Sequence, residues 1–199
     1  MRRLVLTGLF CVCALPTACG GPAENSGSSG GAQTAPQAPA VPDDIAAVAR
    51  GALGSEGEAL AWGDLAIDGM QQVLVVNRLS RASGAQGEGI VFSRMTIVEN
   101  DDGNWMQVLL CDEHLKNQHG YLVGAPSEPV TQWKLAFEKD PKKGLILSIT
   151  PEGQSPGEAV MTLRVRWNPA VKRYQALKPG SELFRGETSS LEPVHRRIG

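Results

Sequence analysis

Between residues 133 and 177 the chain alternates, and that alternation limits its fold more than any other feature. Trp133, Leu135 and Phe137 are separated by Lys134, Ala136 and Glu138; beyond a polar turn at 139–144, Leu145, Leu147 and Ile149 resume the apolar set. Met161, Leu163, Val165 and Trp167 then alternate with Val160, Thr162, Arg164 and Arg166, and a turn at Asn168-Pro169-Ala170 leads into residues 173–177. Successive side chains of a strand point to opposite faces, so a period of two writes one buried face and one solvated face. Upstream, residues 90–98 and 105–111 flank Asn100-Asp101-Asp102-Gly103-Asn104, where Asp-Gly supplies the positive-φ residues of a hairpin turn. Residues 71–79 (QQVLVVNRL) are apolar on both faces, the mark of a central strand. Hairpins in series predict a mainly β domain: an antiparallel meander forming a curved sheet, a sandwich or a small barrel. Trp105, Trp133, Phe137 and Trp167 are expected on its inward face.

One short N-terminal helix precedes the strands. Ile45, Val48, Ala49, Ala52 and Leu53 recur at helical spacing, Asp43 and Asp44 are placed to cap the start, and Gly54 is placed to stop it. The β-rich domain is therefore expected over residues 43–180. Residues 181–199, which end in HRRIG, read as a weakly ordered tail.

Before the domain, Arg2 and Arg3 lead into residues 4–15 (LVLTGLFCVCAL), which carry no charge. Such a run is too short to cross about 30 Å of hydrocarbon but suits the centre of an export signal. Pro16-Thr17-Ala18-Cys19-Gly20 follows. This string resembles the lipobox of bacterial lipoproteins, in which a small residue precedes an obligatory cysteine. Ala18 takes the small position and Cys19 the modified one, while Pro16 stands where the family usually has Leu. The resemblance implies a signal peptide over 1–18 and a diacylglyceryl thioether on Cys19 that holds the chain to a membrane. Each buried methylene contributes about 0.8 kcal/mol, so two or more acyl chains hold firmly where one does not. Gly20 in place of Asp implies, by the same resemblance, the outer membrane. Ordinary cleavage after Ala18 or Ala23, giving a periplasmic or secreted protein, is the competing reading. Residues 20–42 hold one charge, Glu24, and no aromatic residue, so with Cys19 they read as a disordered linker over 19–42. Loss of Cys11 and Cys13 with the signal, and lipid on Cys19, would leave Cys111 without a disulfide partner.

Three groups could carry chemistry. Residues 61–76 (AWGDLAIDGMQQVLVV) resemble a single FG-GAP or VCBS-type repeat, in which an acidic calcium loop joins two strands. The resemblance implies Asp64 and Asp68 as the first- and fifth-position ligands and Gly69 as the turn residue; Ala66 and Gln72 occupy positions where the family has other residues. Without a metal, Asp64 would cap the amides of the turn. Cys111-Asp112-Glu113-His114, with His119 beyond, offers thiol and imidazole for zinc or for a nucleophile. Only His195 lies elsewhere, and the plainer reading is a small apolar residue closing a strand before a polar loop. Arg164, Arg166, Lys172, Arg173 and Lys178 would form a basic patch for anionic headgroups or glycans, or else solvate a sheet face.

Outside the Gly/Ser-rich linker the chain has no Gly-x-Ser-x-Gly, and it has no phosphate loop, dinucleotide fingerprint or His-Glu-x-x-His; a net charge of −2 is no footprint for nucleic acid. The expectation is a membrane-anchored envelope lipoprotein whose β-rich domain is a non-enzymatic binding or structural module. It would work without a cofactor on an envelope protein or glycan partner. A calcium-dependent module using Asp64 and Asp68, and an envelope enzyme using Cys111, are the alternatives.

Overall fold

The computed structural model describes residues 40–79, 89–152 and 161–186, and the backbone of 197–198. The expected signal peptide, Cys19 and nearly all of the linker lie outside the described residues, as does His195. The described chain is mainly β: an antiparallel sheet curled into a half-barrel, with one short N-terminal helix.

Helix α1 (Asp43–Leu53) begins after Pro42, whose φ of −58° already suits a helix start. The expected cap by Asp43 and Asp44 is not what forms. Pro42 occupies the cap position, no side chain caps the helix, and the two acids stand in the first turn, where they face the positive end of the helix dipole. Gly54 ends the helix as expected, its N–H donating to Arg50 O at 2.9 Å. The stripe of Ile45, Ala49 and Leu53 is buried, with Val48 and Ala52 half-buried beside it.

That stripe rests on one face of strands β1 (Gly57–Gly63), β2 (Gln72–Arg78) and β3 (Ile90–Asp101), against Ala59, Val73, Val75 and Val98. Strand β2 lies between β1 and β3, as its apolar faces predict: Val73 and Val75 meet the helix, while Leu74 and Val76 meet the inner core. Strand β3 is a fork. Along one edge it pairs with β2 from Glu99 to Phe92. Its other edge pairs first with β7 (Gln132–Asp140) through Ile90–Phe92, then with β4 (Asn104–Cys111) through Met95–Asp101. From β7 the sheet continues to β8 (Gly144–Glu152), β9 (Leu163–Asn168) and β10 (Arg173–Ala176). From β4 it continues to β5 (Leu115–Asn117) and β6 (Gly120–Tyr121). The two arms curl towards each other, and Asn117 Nδ2 donates to Tyr174 O across the gap at 2.8 Å. Phe92, Met95, Ile97, Trp133, Leu135, Leu147, Val165 and Trp167 fill the space between them.

Two of the four expected inward aromatics lie elsewhere. Trp105 packs on the helix side because β4 carries one extra residue: Ile97 pairs with Leu109 but Val98 with Gln107. A bulge of one residue exchanges the faces beyond it, and no alternation rule detects it. Phe137 keeps the parity of Trp133 and Leu135 but is 36% exposed, lying past the short stretch where β7 pairs with β3. Met161 is likewise exposed, ahead of the first residue of β9. At the C-terminal end, where weak order was expected, Leu177 bridges Phe184 and β11 (Arg197–Ile198) pairs with Trp105 and Met106 of β4.

Candidate functional site

The loop between β1 and β2 sets Leu65 and Ala66 into the inner core. Leu145 N–H, at the start of β8, donates to Leu65 O at 2.7 Å. Gly144 permits this approach: its φ is +77°, and a β-carbon there would collide with Leu65 O. Within the loop, Asp64 Oδ1 accepts the Asp68 amide at 3.0 Å and Oδ2 accepts the Gly69 amide at 3.1 Å. Asp68 Oδ1 in turn accepts the Met70 amide at 3.1 Å, and Gly69 takes φ +87°. The structure thus brings Asp64 and Asp68 to one turn, with their oxygens directed at its amides. Among the described residues no three His, Cys, Asp or Glu side chains are grouped to hold a metal.

Beneath the loop runs a polar chain that the sequence reading missed. Tyr174 Oη donates to Gln72 Oε1 at 2.6 Å, and Gln72 Nε2 donates to Glu99 Oε2 at 2.6 Å. Tyr174 and Gln72 are fully buried, so each polar atom there needs a partner. Burial pushes the Tyr174 hydroxyl well above its ordinary range, and the charges of Glu99, Asp68 and Asp64 push it the same way. Burial also raises Glu99; the Gln72 amide opposes this, and Asp68 and Asp101 add to it. The one available signal was a glutamine leading an otherwise apolar central strand.

At the far end of β4, Cys111 is buried in the inner core. Burial, and secondarily the charge of Asp112, pushes its thiol well up, which holds the sulfur protonated at neutral pH. Asp112 shapes the turn that follows: its Oδ1 accepts the His114 amide at 2.9 Å, and its carbonyl accepts the Trp133 indole N–H. The His114 ring meets the Tyr121 ring edge-on at 5.2 Å, and Lys116 Nζ sits 5.3 Å from the centre of the Tyr121 ring. The His119 amide donates to Asn117 Oδ1 at 2.8 Å. With Asn117, Tyr121 and Gln175, His119 lines a niche of about 10 Å³, room for about one water.

The basic group is divided. Arg164 reaches Glu138 at 3.7 Å and Glu182 at 3.3 Å; Arg166 reaches Glu182 at 3.8 Å and lies 5.0 Å over the Phe184 ring. Lys143 joins Glu182 at 3.2 Å, and it and Arg164 hold that carboxyl below its usual range. Glu182 went unnoticed in the sequence because it stands in the weakly patterned tail. Lys172 sits in the β9–β10 turn at φ +49°, exposed like Lys178, while Arg173 is half-buried.

A groove of about 550 Å³ opens beside the start of β1, lined by Val41 and Ala46 of the helix region, Glu56, Glu58 and Ala59, and Arg78 of β2. Arg78 and Glu58 meet there through two contacts of 3.1 Å.

Comparison with protein-family models, with curated proteins and with solved structures finds no match for this chain. No helix among the described residues is long and apolar enough to cross a membrane.

Proposed function

We propose that the chain is an envelope lipoprotein, anchored through lipid on Cys19, whose β-rich half-barrel is a non-enzymatic binding module. The observation that carries the anchor is the order of the N-terminal segments: a basic start, the charge-free run 4–15, Ala18-Cys19-Gly20 and a polar linker. The reading of the domain as a binder rather than a catalyst draws support from how its reactive side chains are occupied. Cys111 is enclosed, Asp64 and Asp112 hold their own turns, and Arg164 and Arg166 pair with Glu182. A linker of this composition lets such a domain reach partners near the membrane and raises its effective concentration there.

Intact-mass measurement on protein extracted from membranes tests the anchor. The expected species begins at Cys19 and carries acyl mass, and Cys19→Ala moves the chain to the soluble fraction. A mature chain with unmodified Cys19, or one cut after Ala23, replaces this reading with a periplasmic or secreted protein.

A further inference from the structure

Glu182 stands in a turn that folds back along β10. There Lys178 N–H donates to Leu183 O at 2.8 Å, Leu177 bridges Phe184, and Arg185 N–H donates to Ala176 O at 2.8 Å. From this turn its carboxylate reaches three cations carried by two other elements: Lys143 of the β7–β8 turn, and Arg164 and Arg166 of β9. The two arginines are two residues apart on one strand and so share a face. Donors and acceptors are unevenly matched. Glu182 Oε1 takes Arg164 at 3.3 Å, while Oε2 is divided between Lys143 at 3.2 Å and Arg166 Nη1 at 3.8 Å. That last separation is too long for a hydrogen bond, and Arg166 Nε is buried without any acceptor. Three cations thus converge on two oxygens, with a donor left over. Glu138, 3.7 Å from Arg164, is the second carboxylate at the cluster.

We infer that Lys143, Arg164 and Arg166 form a binding site for a phosphomonoester group, and that Glu182 is its built-in occupant, displaced when the ligand arrives. A phosphomonoester presents three terminal oxygens, one for each cation, with lone pairs to spare for Arg166 Nε; a carboxylate or a phosphodiester presents two. Its charge of nearly two also suits the cluster once Glu182 has left, when three cations face the one carboxylate of Glu138. Displacement breaks only weak pairs. The side chains of Glu182, Lys143 and Arg164 are 46%, 39% and 38% exposed, and ion pairs so open to solvent contribute little. The turn itself is held by its own backbone bonds, so the Glu182 side chain alone has to swing away. Arg166, only 14% exposed and lying against the Phe184 ring, is the most enclosed of the three cations. The inference deepens the reading of the domain as a binding module, on which it rests, and is independent of the lipid on Cys19.

The test titrates the full chain, in non-ionic detergent, with inorganic phosphate and, at matched ionic strength, with acetate. Amide NMR signals of Lys143, Arg164 and Arg166 are the readout. Phosphate is expected to shift all three and acetate to leave them nearly still. Glu182→Gln, which removes the competitor, is expected to tighten phosphate about tenfold. Glu138→Gln removes the same charge from beside Arg164 alone and is expected to change it by less than about twofold. Lys143→Gln, at an exposed turn position that does not endanger folding, is expected to weaken phosphate about tenfold. Three results overturn the inference: no shift at the highest phosphate concentration that leaves the chain folded, equal responses to phosphate and acetate, or equal gains from Glu182→Gln and Glu138→Gln. Soluble short-chain phosphatidic acid and phosphatidylglycerol, a monoester and a diester, complete the series. Phosphatidic acid binding far more tightly than phosphate assigns the ligand to a lipid headgroup, and equal affinities assign it to a free phosphate. Tighter binding of phosphatidylglycerol overturns the choice of a monoester. A chain that binds some other ligand while these three signals stay fixed overturns the site and leaves the binding-module reading standing. Steady hydrolysis of the bound monoester does the reverse.

Discussion

Single residues decide how the loop between β1 and β2 meets the start of β8. Gly144 is one: alanine there would meet the carbonyl of Leu65 and would also have to hold a φ of +77°. Gly144→Ala is expected to lower stability by about 1–3 kcal/mol, the range for enforced left-handed backbone, with faster amide exchange at Leu145 as the local sign. Asp64 is another. Its carboxylate accepts two loop amides, so Asp64→Ala is expected to cost about 1–3 kcal/mol in chemical denaturation. Because those oxygens are already taken up, calcium or a chelator is expected to leave the thermal midpoint of the native chain unmoved. A rise of several degrees with calcium would show that the loop reopens around the ion. The glycine of this loop was legible in the sequence, since Asp-Gly after a strand signals a turn whatever else it does. Gly144 was not, because its constraint comes from Leu65, far away along the chain.

Among the elements, β2, β3 and β10 share the buried chain of Tyr174, Gln72 and Glu99, and its acidic end gives the domain a pH response. Glu99 titrates above its ordinary value in the fold, chiefly through burial. A carboxyl raised on folding contributes stability that is complete below its unfolded pKa and is lost as pH rises through the folded one. Glu99→Gln, which keeps an acceptor for Gln72, is expected to raise the thermal midpoint at neutral pH. That gain should shrink to nothing as the pH falls below the ordinary glutamate range. Asp140 and Glu182, both lowered, act in the opposite sense in acid, but they are common to both chains and cancel in the difference. The elements themselves were largely readable. Period-two runs located β7, β8 and β9, and two-sided apolarity placed β2 at the centre. What alternation could not convey was parity across an irregularity. Ala59 and Ala61 face different cores across one bulge, and Trp105 and Leu109 do so across another. Nor could it reveal that β7 would join β3 rather than its sequence neighbour β6, since pairing between distant strands depends on shape that no local pattern records.

For the molecule as a whole, the buried thiol of Cys111, the one cysteine among the described residues, reports on the integrity of the fold. Cys111 is enclosed by the inner core, so a thiol reagent is expected to reach it only when the domain opens. With Cys19 lipidated, labelling of the mature chain should show one slow thiol whose rate rises with urea along the unfolding curve. A second, fast thiol would mean that Cys19 is bare. The fork in β3 has a consequence in time rather than in space. Its pairings with β2 and β4 join near neighbours in the chain, whereas the junction of Phe92 with Trp133 closes a loop of about forty residues before any contact rewards it. The β1–β4 arm should therefore assemble early and the β7–β10 arm dock afterwards. On that order, truncations at Leu74 and Ile97 are expected to slow refolding, and truncations at Leu135 and Leu147 mainly to hasten unfolding. Until that docking step is complete, Phe92, Trp133 and the rest of the inner core are exposed to solvent. On the proposed reading of the chain as an exported lipoprotein, that vulnerable interval would fall outside the cytoplasm.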